Sequence, residues 1–213
     1  MKKLTSMLLS LLLFAGLLPV LGAENPIFYL NRGFDDEVTY SAPQDAEIKG
    51  KNYIAKIVAD GRDKSLLIKN RESGVKVSYS FTPEQDDFYI DVKVKTSNFA
   101  SAKNVLGIVG KSSVTNAVNF NENGTVTNAD GTVIAKYSAG KWYEITVFCD
   151  TESGKYDVYI DGRIRASRCL LKDAKILGFS SECAASPEAT ELLYDYIRAF
   201  AASSPSIAKN TDY

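Results

Sequence analysis

The chain has 213 residues, with 25 Lys and Arg against 26 Asp and Glu, 11% aromatic residues and no histidine. Without imidazole there is no Ser-His-Asp or Cys-His nucleophile, no histidine general base and no histidine-ligated zinc, so any catalysis rests on carboxylates, Tyr, Lys or Arg. The near-balanced charge, with Lys93 and Lys95 alternating along the chain instead of clustering, excludes a phosphate-tracking surface and with it a nucleic-acid partner.

Lys2 and Lys3 give a positive start, Leu4 to Leu21 form an apolar stretch broken by Pro19, and Leu21-Gly22-Ala23 places small residues before Glu24. This pattern predicts a secretory signal over residues 1–23. An uncleaved anchor is the alternative, because an apolar run of about 18 residues just spans a bilayer, but Pro19 and Gly22-Ala23 have the character of a processing site. Removing that segment leaves 23 basic residues against 26 acidic ones. The expectation is a secreted or cell-surface chain that meets the membrane only through its signal. It is read as a monomer with one domain over residues 24–201.

From Tyr53 onward, period-2 alternation dominates. Val75, Val77, Tyr79 and Phe81 alternate up to Pro83, which cannot donate to a ladder and ends the run. In Phe88–Lys95, residues Phe88, Ile90, Val92 and Val94 face one way, while Tyr89, Asp91, Lys93 and Lys95 face the other. Asn123-Gly124, Asp130-Gly131 and Asp161-Gly162 supply the residues that hairpin turns favour. One hairpin runs from Trp142 to Cys149, turns over residues 150–154 and returns from Tyr156 to Asp161. Arg163 to Ala166 then adds a third antiparallel strand. Ser186-Pro187-Glu188 can open a single helical turn through Glu191, with Ser186 as cap. Residues 202–213 hold too little apolar material to pack and are read as a disordered tail.

Many short strands with frequent turn residues and no alternating helices predict an all-β fold, a two-sheet antiparallel β-sandwich, with a closed barrel as the alternative. Alternate side chains would fill the core at about 25 cal/mol per Å² of apolar area buried. Cys149 alternates in phase with Ile145 and Val147 and reads as a buried small hydrophobe. Cys169 and Cys183 are either a disulfide formed in the oxidising space outside the cell or two free thiols.

The segments Gly140-Lys141-Trp142-Tyr143-Glu144-Ile145-Thr146-Val147 and Lys155-Tyr156-Asp157-Val158-Tyr159-Ile160-Asp161-Gly162-Arg163 resemble the hairpin of concanavalin A-like lectin/glucanase domains, laminin-G-like members included. Leu193-Tyr194-Asp195-Tyr196-Ile197-Arg198-Ala199-Phe200 resembles their closing strand, and Asn31-Arg32-Gly33-Phe34-Asp35-Asp36 their opening strand. Ser65 to Ile68 and Val75 to Thr82 are similar to the next two. The resemblance implies a jelly-roll sandwich, a scaffold that hosts lectins, glycan hydrolases, lyases and adhesion modules alike. The Glu-x-Asp-x-x-Glu pattern of the laminarinase-like hydrolases and the histidine of alginate-lyase-like members are both missing here, which argues against catalysis.

Three sets of site residues follow. A glycosidase needs two carboxyl groups roughly 5–10 Å apart, and Glu144 with Asp157, or with Asp91 or Glu37, are the candidates. Sugar binding needs rings that stack on a pyranose with polar neighbours for its hydroxyls. Trp142, Glu144 and Phe148 share one strand face, and Asp157 and Tyr159 lie on the corresponding face of the partner strand. The competing assignment puts Trp142 at the sheet margin and Phe148 in a core. Structural calcium, the one cofactor considered, would be held by Asp35, Asp36 and Asp195 if the first and last strands pair. Asp195, in phase with Ile197 and Ala199, can equally be a buried acid accepting backbone N–H bonds. Asn123-Gly124-Thr125 matches a glycosylation acceptor but reads better as a turn. The resulting expectation is a secreted, non-catalytic recognition domain for a polysaccharide or glycan. A carbohydrate-active enzyme, hydrolase or lyase, using a carboxylate pair and a structural or adhesion module of the cell surface are the alternatives.

Overall fold

The computed structural model describes residues 26–70, 73–99, 103–186 and 188–202, so the expected signal over residues 1–23 and residues 203–213 of the expected tail lie outside the described residues. The described residues form fifteen strands and no helix. The first five are β1 (Phe28–Gly33), β2 (Glu47–Gly50), β3 (Ile54–Asp60), β4 (Asp63–Lys69) and β5 (Val75–Ser80). Next come β6 (Asp87–Thr96), β7 (Lys103–Gly110), β8 (Val114–Phe120), β9 (Thr125–Thr127) and β10 (Val133–Lys136). The last five are β11 (Trp142–Asp150), β12 (Lys155–Ile160), β13 (Arg163–Leu170), β14 (Ile176–Cys183) and β15 (Glu191–Ala201). The expected helical turn at Ser186 does not form. Ser186 Oγ accepts the Glu188 N–H at 3.3 Å, as a cap would, but Glu191 already opens β15; Pro187 lies outside the described residues.

The strands make two antiparallel sheets packed as a sandwich. The front sheet has the order β13-β12-β11-β6-β15-β4-β3, with β1 also paired to β15, and the back sheet the order β10-β9-β8-β7-β14-β5-β2. The three-strand meander β11-β12-β13 forms as the turn residues predict. Asp161 and Gly162 take φ of 51° and 72°, the pair of positive angles that a two-residue hairpin needs to match strand twist. The turn before β12 is closed by Asp150, whose Oδ1 accepts the Ser153 N–H at 2.8 Å.

Alternation then decides what is inside. Val75, Val77 and Tyr79 of β5, Phe88, Ile90, Val92 and Val94 of β6, and Ile145, Val147 and Cys149 of β11 are all at most 1% exposed. Burying side chains of this size contributes about 1.5–3 kcal/mol each. Burial also pushes the Cys149 thiol far above its ordinary range, so it packs as a neutral hydrophobe. The Cys169–Cys183 disulfide considered above is absent, and all three cysteines are free. Cys169 lies on β13 at the margin of the front sheet, 3.5 Å from Asn128 Nδ2, whereas Cys183 is buried in the back sheet between Val75 and Lys103.

β15 holds the sandwich together. Its first half pairs with β4, its second half with β1, and its whole length with β6. Between Tyr194 and Tyr196 the register against β6 slips, so that Tyr194 faces Val94 and Tyr196 faces Lys93. This bulge changes the phase of the strand. Leu192 and Tyr194 point inward before it, and Ile197 and Ala199 after it. Asp195 is therefore out of phase with Ile197, contrary to the buried-acid reading, and forms an ion pair with Lys93 at 2.9 Å on the outer side.

Tyr194, fully buried, crosses from the front sheet to the back one. Its hydroxyl donates to the Val105 carbonyl of β7 at 2.7 Å and lies 2.6 Å from the Ser181 hydroxyl of β14. Replacing Tyr194 with Phe keeps the ring and leaves Val105 O and Ser181 Oγ short of a partner. The expected cost is about 1–3 kcal/mol, visible as a lower urea midpoint at unchanged slope.

Candidate functional site

The outer face of the front sheet carries the candidate platform. β6 is the central strand of the path β13-β12-β11-β6-β15-β4-β3, and its outward residues are Tyr89, Asp91, Lys93 and Lys95, as the alternation predicts. Strand pairing sets three rows across them. The first joins Asp157, Phe148, Tyr89, Phe200 and Phe28; the second joins Tyr159, Thr146, Asp91 and Arg198; the third joins Glu144, Lys93 and Tyr196. Trp142 lies opposite Lys95, one row further.

The first row is aromatic. The Tyr89 ring stacks on Phe200 with centroids 5.4 Å apart and tilts against Phe148 at 5.2 Å, and Phe200 meets Phe28 edge-on at 5.8 Å. Phe200 is buried, so it braces Tyr89 and Phe148, which are half-exposed. At the other end of β11 Trp142 is half-exposed, with the Lys95 ammonium 4.6 Å from its centroid. Trp142 and Phe148 both face solvent, six residues apart, or about 20 Å along an extended strand. Phe148 therefore fills no core.

Between the rings sits a polar centre. Asp91 is on the outward side and yet only 6% exposed. Thr146 Oγ1 donates to its Oδ1 at 2.9 Å, and the Tyr196 ring, beside it on the neighbouring strand, packs 4.1 Å from the Arg198 guanidinium carbon. Burial, opposed by the Thr146 hydrogen bond and reinforced by the Glu144 charge, lifts the Asp91 carboxyl from 3.8 to about 6. Burial, together with the Asp91 and Glu144 charges, raises the Tyr196 phenol as well.

The expected partners separate into those that meet and those that do not. Glu144 and Asp157 do not form a pair, because Asp157 lies opposite Phe148, and the four-residue offset puts it about 13 Å from Glu144 along the strand. Asp157 instead pins β13, its Oδ1 accepting the Arg168 N–H at 2.6 Å and the Ser167 hydroxyl at 2.9 Å. Glu37 is buried, ion-paired to Arg32 at 3.4 Å and accepting the Gln44 N–H, so it belongs to the loop after β1. The carboxyl that lies beside exposed Glu144 is Asp91, diagonal to it on the neighbouring strand, a relation that spans roughly 7–8 Å.

β1 and β15 do pair, with Gly33 opposite Tyr196, but the three expected calcium ligands do not converge. Asp35 Oδ1 accepts the Lys64 N–H at 2.8 Å, Asp36 is exposed in the loop, and Asp195 faces Lys93. Among the described residues no three His, Cys, Asp or Glu side chains gather as a metal site. These residues do not fit a cation. Sequence reasoning also missed Tyr89, Tyr196 and Arg198. The alternation marked Tyr89 as outward, but its stacking neighbours come from β11 and β15, and the bulge hid the facing of Tyr196.

No protein-family model and no curated protein matches the sequence. Solved structures match the fold. A sialidase superposes over 84% of this chain with a TM-score of 0.64 at 12% identity, the match taking in 19% of the sialidase's own length. A β-1,3-glucanase from Mycobacterium marinum matches 81% of this chain and 98% of its own, with a TM-score of 0.58 at 12% identity. A pseudo β-1,3-glucanase of Mycobacterium tuberculosis matches 82% and 98%, with a TM-score of 0.54 at 13% identity. Identities this low establish architecture and nothing about activity.

The raised Asp91 carboxyl gives a signed prediction. Between about pH 4 and pH 6 the folded protein keeps a proton that the unfolded chain has released, so stability falls as pH rises through this window and levels off above it. The loss is up to about 3 kcal/mol. Asp91→Asn is expected to flatten this dependence and to melt higher than the parent above about pH 7, which thermal melts across pH will read. With two antiparallel sheets in this strand order and these structural neighbours, the chain has the fold of an all-β jelly-roll sandwich.

Proposed function

We infer that this chain works outside the cell as a glycan-recognition domain, binding a polysaccharide or glycan on the outer face of its front sheet. One observation carries the reading: half-exposed rings, Trp142 at one end and Tyr89 with Phe148 at the other, flank a central row of hydrogen-bonding groups. Rings stack on the apolar faces of pyranoses, while Asp91, Thr146, Glu144 and Arg198 meet hydroxyls between them. The spacing suits a short oligosaccharide lying along β11. Both solved neighbours named as glucanase or pseudo-glucanase share this sandwich over nearly their full length, which agrees with the reading.

Trp142→Ala and Phe148→Ala are each expected to weaken glycan retention about tenfold or more without changing the melting temperature by more than a few degrees. A broad glycan array on which the parent protein retains nothing would sink the proposal.

A second reading, cleavage of the bound glycan, is favoured by the diagonal pair of Asp91 and Glu144. A carboxyl that keeps its proton to about pH 6 can act as general acid, and the exposed carboxylate as base or nucleophile. Release of reducing ends that falls about 100-fold or more in both Asp91→Asn and Glu144→Gln would establish it. Release unaffected by either change, or no release at all, leaves recognition alone.

A further inference from the structure

The front sheet ends at β13, and that edge carries three arginines within six residues. The strand reads Arg163-Ile164-Arg165-Ala166-Ser167-Arg168-Cys169-Leu170, and all three arginines are exposed. Six cations elsewhere on the described surface are held in ion pairs. Lys93 pairs with Asp195, Lys95 with Asp60, Lys69 with Glu191, Lys141 with Asp161, Lys49 with Glu47, and Arg32 with Glu37 and Asp45. None of the β13 arginines has a carboxylate within 4.0 Å among the described residues. Asp157, the nearest acid on the partner strand, is occupied by the Ser167 hydroxyl and the Arg168 backbone N–H. Asp150 feels Arg168 at longer range.

This edge adjoins the platform. Ile164, 53% exposed, lies opposite the platform residue Tyr159, and Leu170, 72% exposed, lies at the far end of the strand. Charged side chains on an edge strand also discourage sheet-to-sheet association, and one or two suffice for that. Three unpaired guanidinium groups within six residues, on a chain with net charge −1, make a local field of the opposite sign to the whole. Guanidinium is planar and meets carboxylate or sulfate through two parallel hydrogen bonds.

Resting on the glycan reading above, we propose that the ligand is an acidic polysaccharide, bearing uronate or sulfate groups, whose chain runs from the Trp142–Phe148 platform onto Arg163, Arg165 and Arg168. Sugar rings stack at the platform, and acidic substituents meet the arginines at the edge. The platform lysines, already paired, add little to this selection.

The test uses the full chain on immobilised polygalacturonate, heparin and a neutral β-glucan, with duplex DNA as a non-glycan polyanion. The parent is expected to retain the acidic glycans more strongly than the neutral one, and raised salt to weaken that retention. The triple change Arg163→Gln, Arg165→Gln and Arg168→Gln is expected to lower acidic-glycan binding about tenfold or more and to leave neutral-glycan binding unchanged. Since all three side chains are exposed, an unaltered circular dichroism spectrum is expected. Equal retention by parent and triple variant, or DNA held as tightly as heparin, would overturn the edge assignment while leaving the platform reading intact. Loss of all glycan retention in the parent would overturn both.

Discussion

One extra residue in β15 organises both the core and the outer face. Before the bulge, Tyr194 reaches through the sandwich to the Val105 carbonyl and the Ser181 hydroxyl, joining the two sheets by hydrogen bonds as well as by packing. After it, Tyr196 and Arg198 turn outward against Lys93 and Asp91. A strand without the bulge would keep one phase throughout, and either the inter-sheet tie or the polar centre would be lost.

The polar centre is consequently crowded. Asp91 stands on a face that should be wet, but Thr146, Tyr196 and Arg198 enclose it, and the loss of hydration raises its affinity for a proton. A protonated carboxyl both donates and accepts, so its hydrogen-bonding character changes with pH where an exposed aspartate's would not. The flanking rings are held by equally specific packing. Tyr89 is fixed between Phe148 and Phe200, which settles the orientation of its ring.

The neighbouring folds set the boundary of what architecture can say. A glucanase and a pseudo-glucanase match this chain at nearly the same TM-score and coverage, so the shared sandwich by itself assigns no activity. On the glycan reading proposed above, binding and chemistry would be separated by the few groups around Asp91 and Glu144 and by how closely a glycosidic oxygen approaches them. That is a property of side-chain placement and not of strand order.

Much of the fold was legible in the residues. Phe88–Lys95 declared its dry and wet sides, Asp161-Gly162 declared a tight hairpin, and Cys149 declared itself a hydrophobe, because each signal is local and has a period of two. Trp142, Phe148 and Tyr159 were placed on one face by the same arithmetic. Tertiary structure decided which carboxylates meet, since that depends on register between strands far apart in sequence. It set Asp91 diagonal to Glu144, sent Asp157 to the β13 edge, kept Asp35 away from Asp195, and put Cys169 and Cys183 on different sheets. It also decided the facing of Asp195 and Tyr196, because a bulge forms where neighbouring strands demand it, and alternation along a single strand carries no record of that demand.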